Sequence, residues 1–477
     1  MLVLARVLLR TLSPRPVYRS RRAGPEHDPL YRVIHRHLAP FLAWADARGR
    51  PIPAHVEQEL QAYLACGRAE HGFTWYRCPE CDHSLVLPFS CKGRGFCPSC
   101  GGRRMNQLAA NLVDHVLPEV PVRQWVLSFP MRVRFLLAWR PELRNEVMGA
   151  FLEVVFGWYR ERSLRRGESD GRGGAVGVWQ LAGGALNLNP HVHALVLDGV
   201  YVWDVEAQLP VFRPAPRLGR RQLQCLVERI QARVTRVLRR RGLLDEDAAL
   251  DPDDGQAELM SAAVLGRGLD GRPVRRRRDL PPRDSERRGL WAWSDWFDLH
   301  AGVRISARDR EGLERLARYL LRPPLALKRL SELPDGRLSL RLKRPWDDGT
   351  THVLFEPLEL LARLSALVPQ PRSNLIHYYG VLASRSSWRS QVVPGGEGGG
   401  RRSAWIPWAT LLSRTFGVDP TICPKCGATL LVRAVVATWG TAHLLLTEVL
   451  GHEVAAAAPT RLAPARDSPV DTGWAWA

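Results

Sequence analysis

The chain has 477 residues, of which 45% are hydrophobic, and this is sufficient for about three ordinary domains with buried cores. Lys and Arg number 68 against 48 Asp and Glu, and the net charge of +20 favours a phosphate-rich partner such as nucleic acid, although codon bias in a GC-rich genome also enriches arginine. The composition is that of a folded protein rather than a disordered chain, and no stretch reaches the ~20 apolar residues of a membrane span.

Two further features bear on the cellular compartment. Arginines interrupt the apolar residues of segment 1–22, so a cleavable signal peptide is not predicted. Six of the nine cysteines lie between Cys66 and Cys100, which is typical of metal ligands in a reducing compartment rather than of disulfides. We therefore expect a cytoplasmic protein.

In chain order, the first predicted elements are a pair of helices and a cysteine cluster. Apolar residues recur at helical spacing over 30–66, with a break at 48–53. Two CxxC motifs follow with fifteen residues between them, and this spacing predicts one tetrahedral thiolate site for structural zinc. Cys66 is then surplus, and Cys91 is predicted to be a small buried residue or a substitute ligand. The predicted ligands are Cys78, Cys81, Cys97 and Cys100.

Basic residues alternate with aromatic ones around these cysteines. The pattern suits phosphates and exposed bases, but it equally fits a solvated rim over a small aromatic core. The helices and the cysteines together predict a helical and zinc-binding domain over residues 1–115. Its predicted DNA-binding residues are Lys92, Arg94, Arg103 and Arg104.

The middle of the chain predicts strands and a helix in the order β, α, β, β. Strand residues alternate between two faces, so His191 and His193 point to one side while Val192 points into the core. Two imidazoles on one face can share a metal ion, although such a pair also occurs on the wet face of ordinary strands. The predicted elements are a strand at 124–130, a helix at 141–165 and strands at 175–181 and 191–197.

The later segments predict further helices, connections and one more cysteine motif. An amphipathic helix at 220–241 precedes a mobile, charged connection at 245–288. Cys423 and Cys426 form a single CxxC turn, which either borrows ligands from elsewhere or only makes a turn. The remaining predictions are a strand at 291–306, a helix at 308–321, a linker at 395–402 and a tail at 455–477.

Three motifs in this order resemble the transposases of rolling-circle insertion sequences, the IS91 and common-region (ISCR) group. They are residues 89–104, 186–193 and 318–325, and the resemblance runs from about residue 18 to 451. It implies an α+β fold, in which an antiparallel sheet flanked by helices, of the HUH endonuclease type, follows the small helical and zinc-binding domain. The predicted domains are 1–115, a catalytic domain over 116–335 and a C-terminal region over 336–477.

The resemblance also implies a reaction. A catalytic Mg or Mn ion at His191 and His193 would assist Tyr319, which attacks single-stranded DNA at the ends of the element and forms a 5′-phosphotyrosine. A second tyrosine follows four residues later in some members, but Pro323 stands there in this chain. Tyr378 and Tyr379 are rival nucleophiles, and the predicted DNA-binding residues beside the tyrosine are Arg318 and Arg322.

The third metal ligand and the competing functions stay open at this stage. Gln180 is the predicted third ligand because it lies in the preceding strand, and Asp198 and His300 are alternatives. A zinc-dependent DNA-binding protein without catalysis and a replication-initiator nickase are the competing functions. A barrel-type metal hydrolase would need alternating strands and helices that this sequence does not show.

Overall fold

The structure, a computed structural model, describes residues 17–18, 28–243, 255–279, 289–394, 419 and 421–449. The predicted linker at 395–402 and the predicted tail at 455–477 lie outside these residues. No helix within the described ranges has the length and apolar character needed to cross a membrane.

The N-terminal region consists of a helical pair, a β-hairpin and a long helix. Asp28 accepts a hydrogen bond from the backbone N–H of Tyr31 and so caps the first helix. The C-terminal strand β16 pairs with β2, which gives a sheet in the order β1-β3-β2-β16. These elements are α1 (Pro29–Ala47), α2 (Ala54–Ala65), β1 (Val17–Tyr18), β2 (Phe73–Arg77), β3 (Ser84–Pro88), α3 (Pro98–His115) and β16 (Leu431–Val436).

A six-stranded sheet forms the centre of the molecule. Its order is β10-β11-β4-β6-β5-β15, and all of its neighbouring strands are antiparallel. The histidine strand β6 lies between β4 and β5, in the interior of this sheet. The strands are β4 (Val122–Ser128), β5 (Gly174–Ala182), β6 (Leu188–Leu197), β10 (Trp291–Ser294), β11 (Phe297–Ile305) and β15 (Ile376–Gly380).

Helices cover both faces of this central sheet. On one face, α4 (Met131–Trp139), α5 (Pro141–Leu164) and α6 (Arg220–Arg240) bury side chains such as Trp125 and Val192. On the other face, α3 packs beside α8 (Arg310–Leu321) over residues that include Val178 and Leu195. The predicted antiparallel sheet flanked by helices is therefore confirmed as a mixed α/β architecture.

A third sheet and a buried helix correct the predicted mobile connection at 245–288. Within its described part, Gln256 is fully buried and donates hydrogen bonds to the carbonyls of Ser365 and Val368. The apolar residues of this segment bury a helix, and its arginine run pairs with a neighbouring strand. The elements are α7 (Gly255–Leu265), β9 (Arg276–Arg278), β12 (Leu330–Glu332), β13 (Leu338–Arg341), β14 (Thr350–Phe355) and α9 (Pro357–Ala366).

Several shorter elements complete the described chain. Strands β7 (Gly199–Asp204) and β8 (Leu209–Pro214) form a separate hairpin after the histidine strand. Helix α10 (Arg389–Val392) follows β15, and α11 (Trp439–Leu444) follows β16. Within residues 336–477, the described part contributes β15 to the central sheet and β16 to the N-terminal sheet, besides β13 and β14 of the third sheet.

Candidate active site and metal centres

The two histidines lie side by side on the central strand β6. Their rings are 4.9 Å apart, centroid to centroid. His191 stands opposite Gln180 of β5, and His193 stands opposite Val126 of β4. Directly opposite residues of antiparallel strands share a face, so the pair projects toward the face that α8 covers.

Each histidine has one ring nitrogen held by a neighbour and a second one left for a ligand. The Nδ1 of His191 is 2.6 Å from the carbonyl oxygen of Asn189 and donates to it. The side-chain Nε2 of Gln124 lies 2.8 Å from Nδ1 of His193, and the Nε2 of His193 is buried without a partner among the described residues. In this orientation the Gln124 amide donates to Nδ1, whereas the same amide turned by about 180° accepts from Nδ1–H and leaves Nε2 of His193 with the lone pair that a metal requires.

The electrostatic surroundings keep both imidazoles neutral. Burial, reinforced by repulsion from His191, Arg322 and His300, holds the pKa of His193 well below its usual range. Burial also lowers the pKa of His191, although the Asn189 carbonyl opposes this shift. Since a metal binds the neutral imidazole, these histidines are in the protonation state that coordination needs at neutral pH.

Tyr319 lies beside His193 of the histidine pair. Its ring centroid is 6.0 Å from that of His193, and 46% of its surface remains exposed. The guanidinium carbon of Arg322 lies 4.1 Å from the centroid of the tyrosine ring. The phenol is thus reachable by a substrate and stands beside a cation that can contact an approaching phosphate.

Gln180 connects the tyrosine helix to the histidine strand. Its Nε2 donates to the backbone carbonyls of Tyr319 and Leu320, at 3.3 and 2.5 Å. These carbonyls lie in the last turn of α8, where carbonyls lack partners within the helix. The side-chain oxygen of Gln180 is left for another partner, so its role as third metal ligand stays a prediction.

The structure excludes Asp198 as a metal ligand. Its carboxylate is 3% exposed and accepts hydrogen bonds from Arg123, Arg304 and Tyr159. Its lone pairs are therefore used by a buried ion-pair network. His300, the other alternative, lies on β11 opposite Val126 and faces the same side as the pair.

Sequence reasoning missed two amides of this site, Gln124 and Asn189. Gln124 lies 4% exposed inside β4, and the side-chain oxygen of Asn189 is buried without a partner among the described residues. Asn189 alternates with His191 along β6, so both side chains leave the same face. Both residues could have been found from the sequence, because each is an amide in or just before a predicted strand, at a position that alternates with apolar residues.

Cations surround the site. Arg322 and Arg134 both repel the charged form of His191, which places them near it. Partial burial, with repulsion from Arg322 and Arg329, lowers the pKa of Lys343 to about 8. A site with several cations close together favours an anionic ligand such as a phosphate.

Three of the predicted DNA-binding residues have bonds within the protein. Arg94 donates to the carbonyl of Ser373, and Arg104 donates to the carbonyls of Lys92 and Gly93. Arg318 forms an ion pair with Glu314 one helical turn earlier. Lys92 is exposed, and Arg103 is half-buried. The role of all six residues in DNA binding stays a prediction.

The cysteines form two clusters of four, which corrects the predicted single site. The structure divides the predicted set, because Cys78 and Cys81 separate from Cys97 and Cys100. The first cluster adds the two cysteines that sequence reasoning left surplus, and the second takes the C-terminal CxxC turn. The clusters are Cys66, Cys91, Cys97 and Cys100, and Cys78, Cys81, Cys423 and Cys426.

The β2–β3 hairpin explains this division. Its two strands have five residues each, so about 17 Å separates the tip from the open end. Cys78 and Cys81 lie at the tip, whereas Cys66 precedes the hairpin and Cys91 follows it. The two CxxC motifs are therefore close in sequence but lie at opposite ends of the hairpin.

Sulfur separations in both clusters fit a tetrahedral metal. Four sulfurs bound at about 2.3 Å to one zinc lie about 3.8 Å apart. In the first cluster, the Sγ of Cys100 lies 3.7 Å from that of Cys66 and 3.4 Å from that of Cys91. In the second, Cys78 and Cys426 are 3.4 Å apart, sulfur to sulfur. Both clusters therefore fit structural zinc.

The first cluster is joined to the tyrosine helix through α3. Cys97 is the N-cap residue of α3, and this helix packs along α8. A Cβ placed on Gly101 would lie 2.7 Å from the Cβ of Pro323, so only glycine permits this approach. Pro323 follows the end of α8 by two residues, and the cluster thus supports the segment that carries Tyr319.

Comparisons with known families agree with this arrangement. The profile of the transposase zinc-binding domain (Zn_Tnp_IS91) matches residues 33–129, which contain six of the eight clustered cysteines. The transposase profile Y2_Tnp matches residues 174–389, which contain both histidines and Tyr319. No curated protein and no solved structure matches the chain.

These matches define a DNA transposase with a zinc-binding domain. The two matches together support a transposase of the IS91 type.

Proposed function

We propose that this transposase cleaves and rejoins single-stranded DNA at the ends of a mobile element, with Tyr319 as the nucleophile. The observation that carries the proposal is the position of this half-exposed phenol over His193, with Arg322 stacked on its ring. Tyr378 and Tyr379 lie on the edge strand β15, and burial raises the pKa of each phenol. They are less suited to forming a phenolate.

The reaction is a transesterification that conserves bond energy. The Tyr319 oxygen attacks the scissile phosphorus, the bond from phosphorus to the 3′ oxygen breaks, and a 5′-phosphotyrosine forms. The phenol proton is lost and the departing 3′ oxygen takes up a proton, so that a free 3′-OH results. This hydroxyl can attack the phosphotyrosine of another strand, which rejoins DNA without ATP.

The residues around Tyr319 fit a divalent cation, Mg or Mn. The Nε2 atoms of His191 and His193 would hold it, together with an amide oxygen from Gln180 or Asn189. Such an ion supplies Lewis-acid polarisation of the phosphate and neutralises developing charge. Arg322 lies over the phenol and is placed to contact the phosphate that approaches it.

The two cysteine clusters are proposed to hold one structural zinc ion each. The backbone N–H groups of Lys425 and Cys426, with the Cys81 thiol, outweigh the opposing effect of burial and lower the pKa of Cys423 to about 7. A thiol that ionises readily favours zinc binding. Thiolates persist in a reducing compartment, which agrees with a cytoplasmic location.

The test is a search for a covalent adduct. Purified protein is incubated with labelled single-stranded DNA that carries an element end, in Mg or Mn, and adducts are separated in denaturing gels. Wild-type protein is expected to form the adduct, whereas Tyr319→Phe and His193→Ala are expected to form none. The matched controls Tyr378→Phe and Tyr379→Phe should keep it.

Three outcomes would overturn the proposal. An adduct in Tyr319→Phe at the wild-type level would show that another residue is the nucleophile. DNA binding by wild-type protein without any adduct would favour the alternative of a DNA-binding protein without catalysis. If the protein nicks DNA and forms the adduct but never transfers the bound strand to a second DNA end, it would be a replication-initiator nickase instead.

A second prediction concerns the amide that holds His193. Gln124→Leu removes the partner of Nδ1, so we expect the affinity for Mn²⁺ to fall about 10- to 100-fold while the fold persists. Gln124→Glu should retain the affinity, because a carboxylate can only accept from Nδ1–H. Calorimetric titration of Mn²⁺ measures both variants. Loss of Mn²⁺ binding in a folded Gln124→Glu would show that the amide has to donate to Nδ1, which contradicts metal binding through Nε2 of His193.

A further inference from the structure

The hairpin β10–β11 carries two exposed tryptophans that no packing accounts for. Among the described residues, three tryptophans are at least 36% exposed: Trp203 at 36%, Trp293 at 58% and Trp296 at 82%. Trp203 has a ring partner, since its centroid is 5.9 Å from that of Trp388. Tryptophan normally contributes to stability by burial, so a different role is needed for the other two.

The backbone of Trp296 strengthens this argument. Asp295 and Trp296 are the two central residues of the hairpin turn, and their φ angles are 42° and 65°. Turns with two positive φ angles favour Asn or Gly, and a bulky side chain there is unfavourable. Neither burial nor turn geometry therefore explains a tryptophan at position 296.

The side chain of Trp293 projects from the face of the sheet that carries the active site. Trp293 stands opposite Asp298, Asp298 stands opposite Ser128, and Ser128 stands opposite His191. Directly opposite residues share a face, so Trp293 and His191 project to the same side. Three strand spacings of about 4.8 Å place Trp293 about 14 Å from His191 across the sheet.

Helix α6 holds the hairpin in place. Gln224 donates to the backbone carbonyl of Trp293 at 3.0 Å, and Gln231 donates to the carboxylate of Asp295 at 2.8 Å. Phe297, the first residue after the turn, is buried. The aromatic side chains are thus presented by a fixed scaffold, which lowers the entropic cost of binding a ligand.

We propose that Trp293 and Trp296 stack on the bases of single-stranded DNA beside the phosphate that Tyr319 attacks. Aromatic rings bind exposed bases by stacking, while cations bind the backbone. The charges divide in this way here, because Arg322 lies near His191, whereas acidic Asp295 and Asp298 flank the tryptophans. Arg134 lies between the two ends, since its charge interacts with both His191 and Asp298. Phosphates therefore suit the histidine end, and bases suit the hairpin.

The distance sets the register of this contact. At a rise of about 3.4 Å per nucleotide, the 14 Å between Trp293 and His191 corresponds to about four stacked nucleotides. This inference rests on the proposed function, since it takes the strand to run from the histidine pair to the hairpin.

The test measures binding of full-length protein to a fluorescein-labelled oligothymidylate of about 20 nucleotides, by fluorescence anisotropy without divalent metal. Trp293→Ala and Trp296→Gly are each expected to weaken binding about tenfold, the loss of one stacked base. Trp293→Phe should retain most of the affinity, because it keeps an aromatic ring. Trp203→Ala, an exposed tryptophan paired with another ring, is the matched control and should bind as wild type.

Trp296→Gly separates binding from folding. Glycine suits the positive φ, so this variant should be at least as stable as wild type while its DNA affinity falls. Unchanged binding in Trp296→Gly and Trp293→Ala would overturn the proposal, and so would an equal loss of affinity for duplex DNA, whose bases are not exposed. If these variants bind normally while wild type forms the adduct, the hairpin proposal fails and the tyrosine mechanism stands. If binding depends on the tryptophans but wild type forms no adduct, the hairpin proposal stands and the tyrosine mechanism fails.

Discussion

Cys100→Ser is expected to remove one zinc ion per chain and to unfold the zinc-binding domain. Cys100 lies in the first cluster, and its sulfur contacts those of Cys66 and Cys91. Structural zinc contributes about 10–16 kcal/mol of apparent binding free energy in small zinc domains, far more than the marginal stability of a domain. Loss of a single ligand therefore removes most of what folds this region.

Loss of this zinc ion should also slow the catalytic reaction. The cluster begins α3, which packs along the tyrosine helix, and Gly101 contacts Pro323 just beyond that helix. We expect adduct formation to fall at least tenfold in Cys100→Ser, because displacement of Tyr319 by about 1 Å is sufficient to lose two orders of magnitude in rate.

Two control variants test whether the loss of zinc is specific to the cluster that contains the substituted cysteine. Cys225 is exposed on α6 and belongs to neither cluster, so Cys225→Ser should keep the full zinc content. Cys426→Ser should lose only the zinc that joins the C-terminal turn to the β2–β3 hairpin. Zinc is measured by atomic emission, and folding by circular dichroism. Full zinc content in Cys100→Ser would refute the assignment of its cluster.

Local patterns were sufficient to predict the elements that form the active site. The histidine strand was expected over 191–197 and spans Leu188–Leu197, and the tyrosine helix was expected over 308–321 and spans Arg310–Leu321. Period-two alternation also placed His191 and His193 on one face. Periodicity depends on the residues of one element alone, so a single sequence contains it.

Partners from distant segments could not be predicted in the same way. The sequence placed Cys78 with Cys97, because both lie in CxxC motifs a short distance apart. The hairpin between them carries one motif to its tip, where Cys423 approaches from more than 340 residues away. Such a contact depends on the pairing of β16 with β2, and strand pairing over this distance leaves no local signal.

The buried ion-pair network around Asp198 could not be predicted from the sequence either. In the sequence, Asp198 was an alternative to Gln180 as the third metal ligand. Its partners Arg123, Arg304 and Tyr159 come from three separate elements. Asp198 is therefore unsuited to bind an ion, since its buried carboxylate already accepts four hydrogen bonds from these three residues.

Asp198→Asn is therefore expected to destabilise the fold rather than to abolish metal binding. The carboxylate is 3% exposed, and Arg123 beside it is 6% exposed, so the variant leaves a buried guanidinium without its counter-charge. Breaking a buried pair in this way costs about 3–5 kcal/mol. The free energy of unfolding, measured in urea, should fall by that amount.

The matched control is Asp170→Asn. Asp170 also pairs with an arginine, Arg172 at 2.8 Å, but 66% of its side chain is exposed. Exposed pairs contribute about 0–1 kcal/mol, so the control should unfold close to wild type. The affinity of folded Asp198→Asn for Mn²⁺ should stay within a few-fold of wild type, because both Nε2 atoms are unchanged. A large loss of Mn²⁺ affinity in a variant of normal stability would instead make Asp198 a ligand.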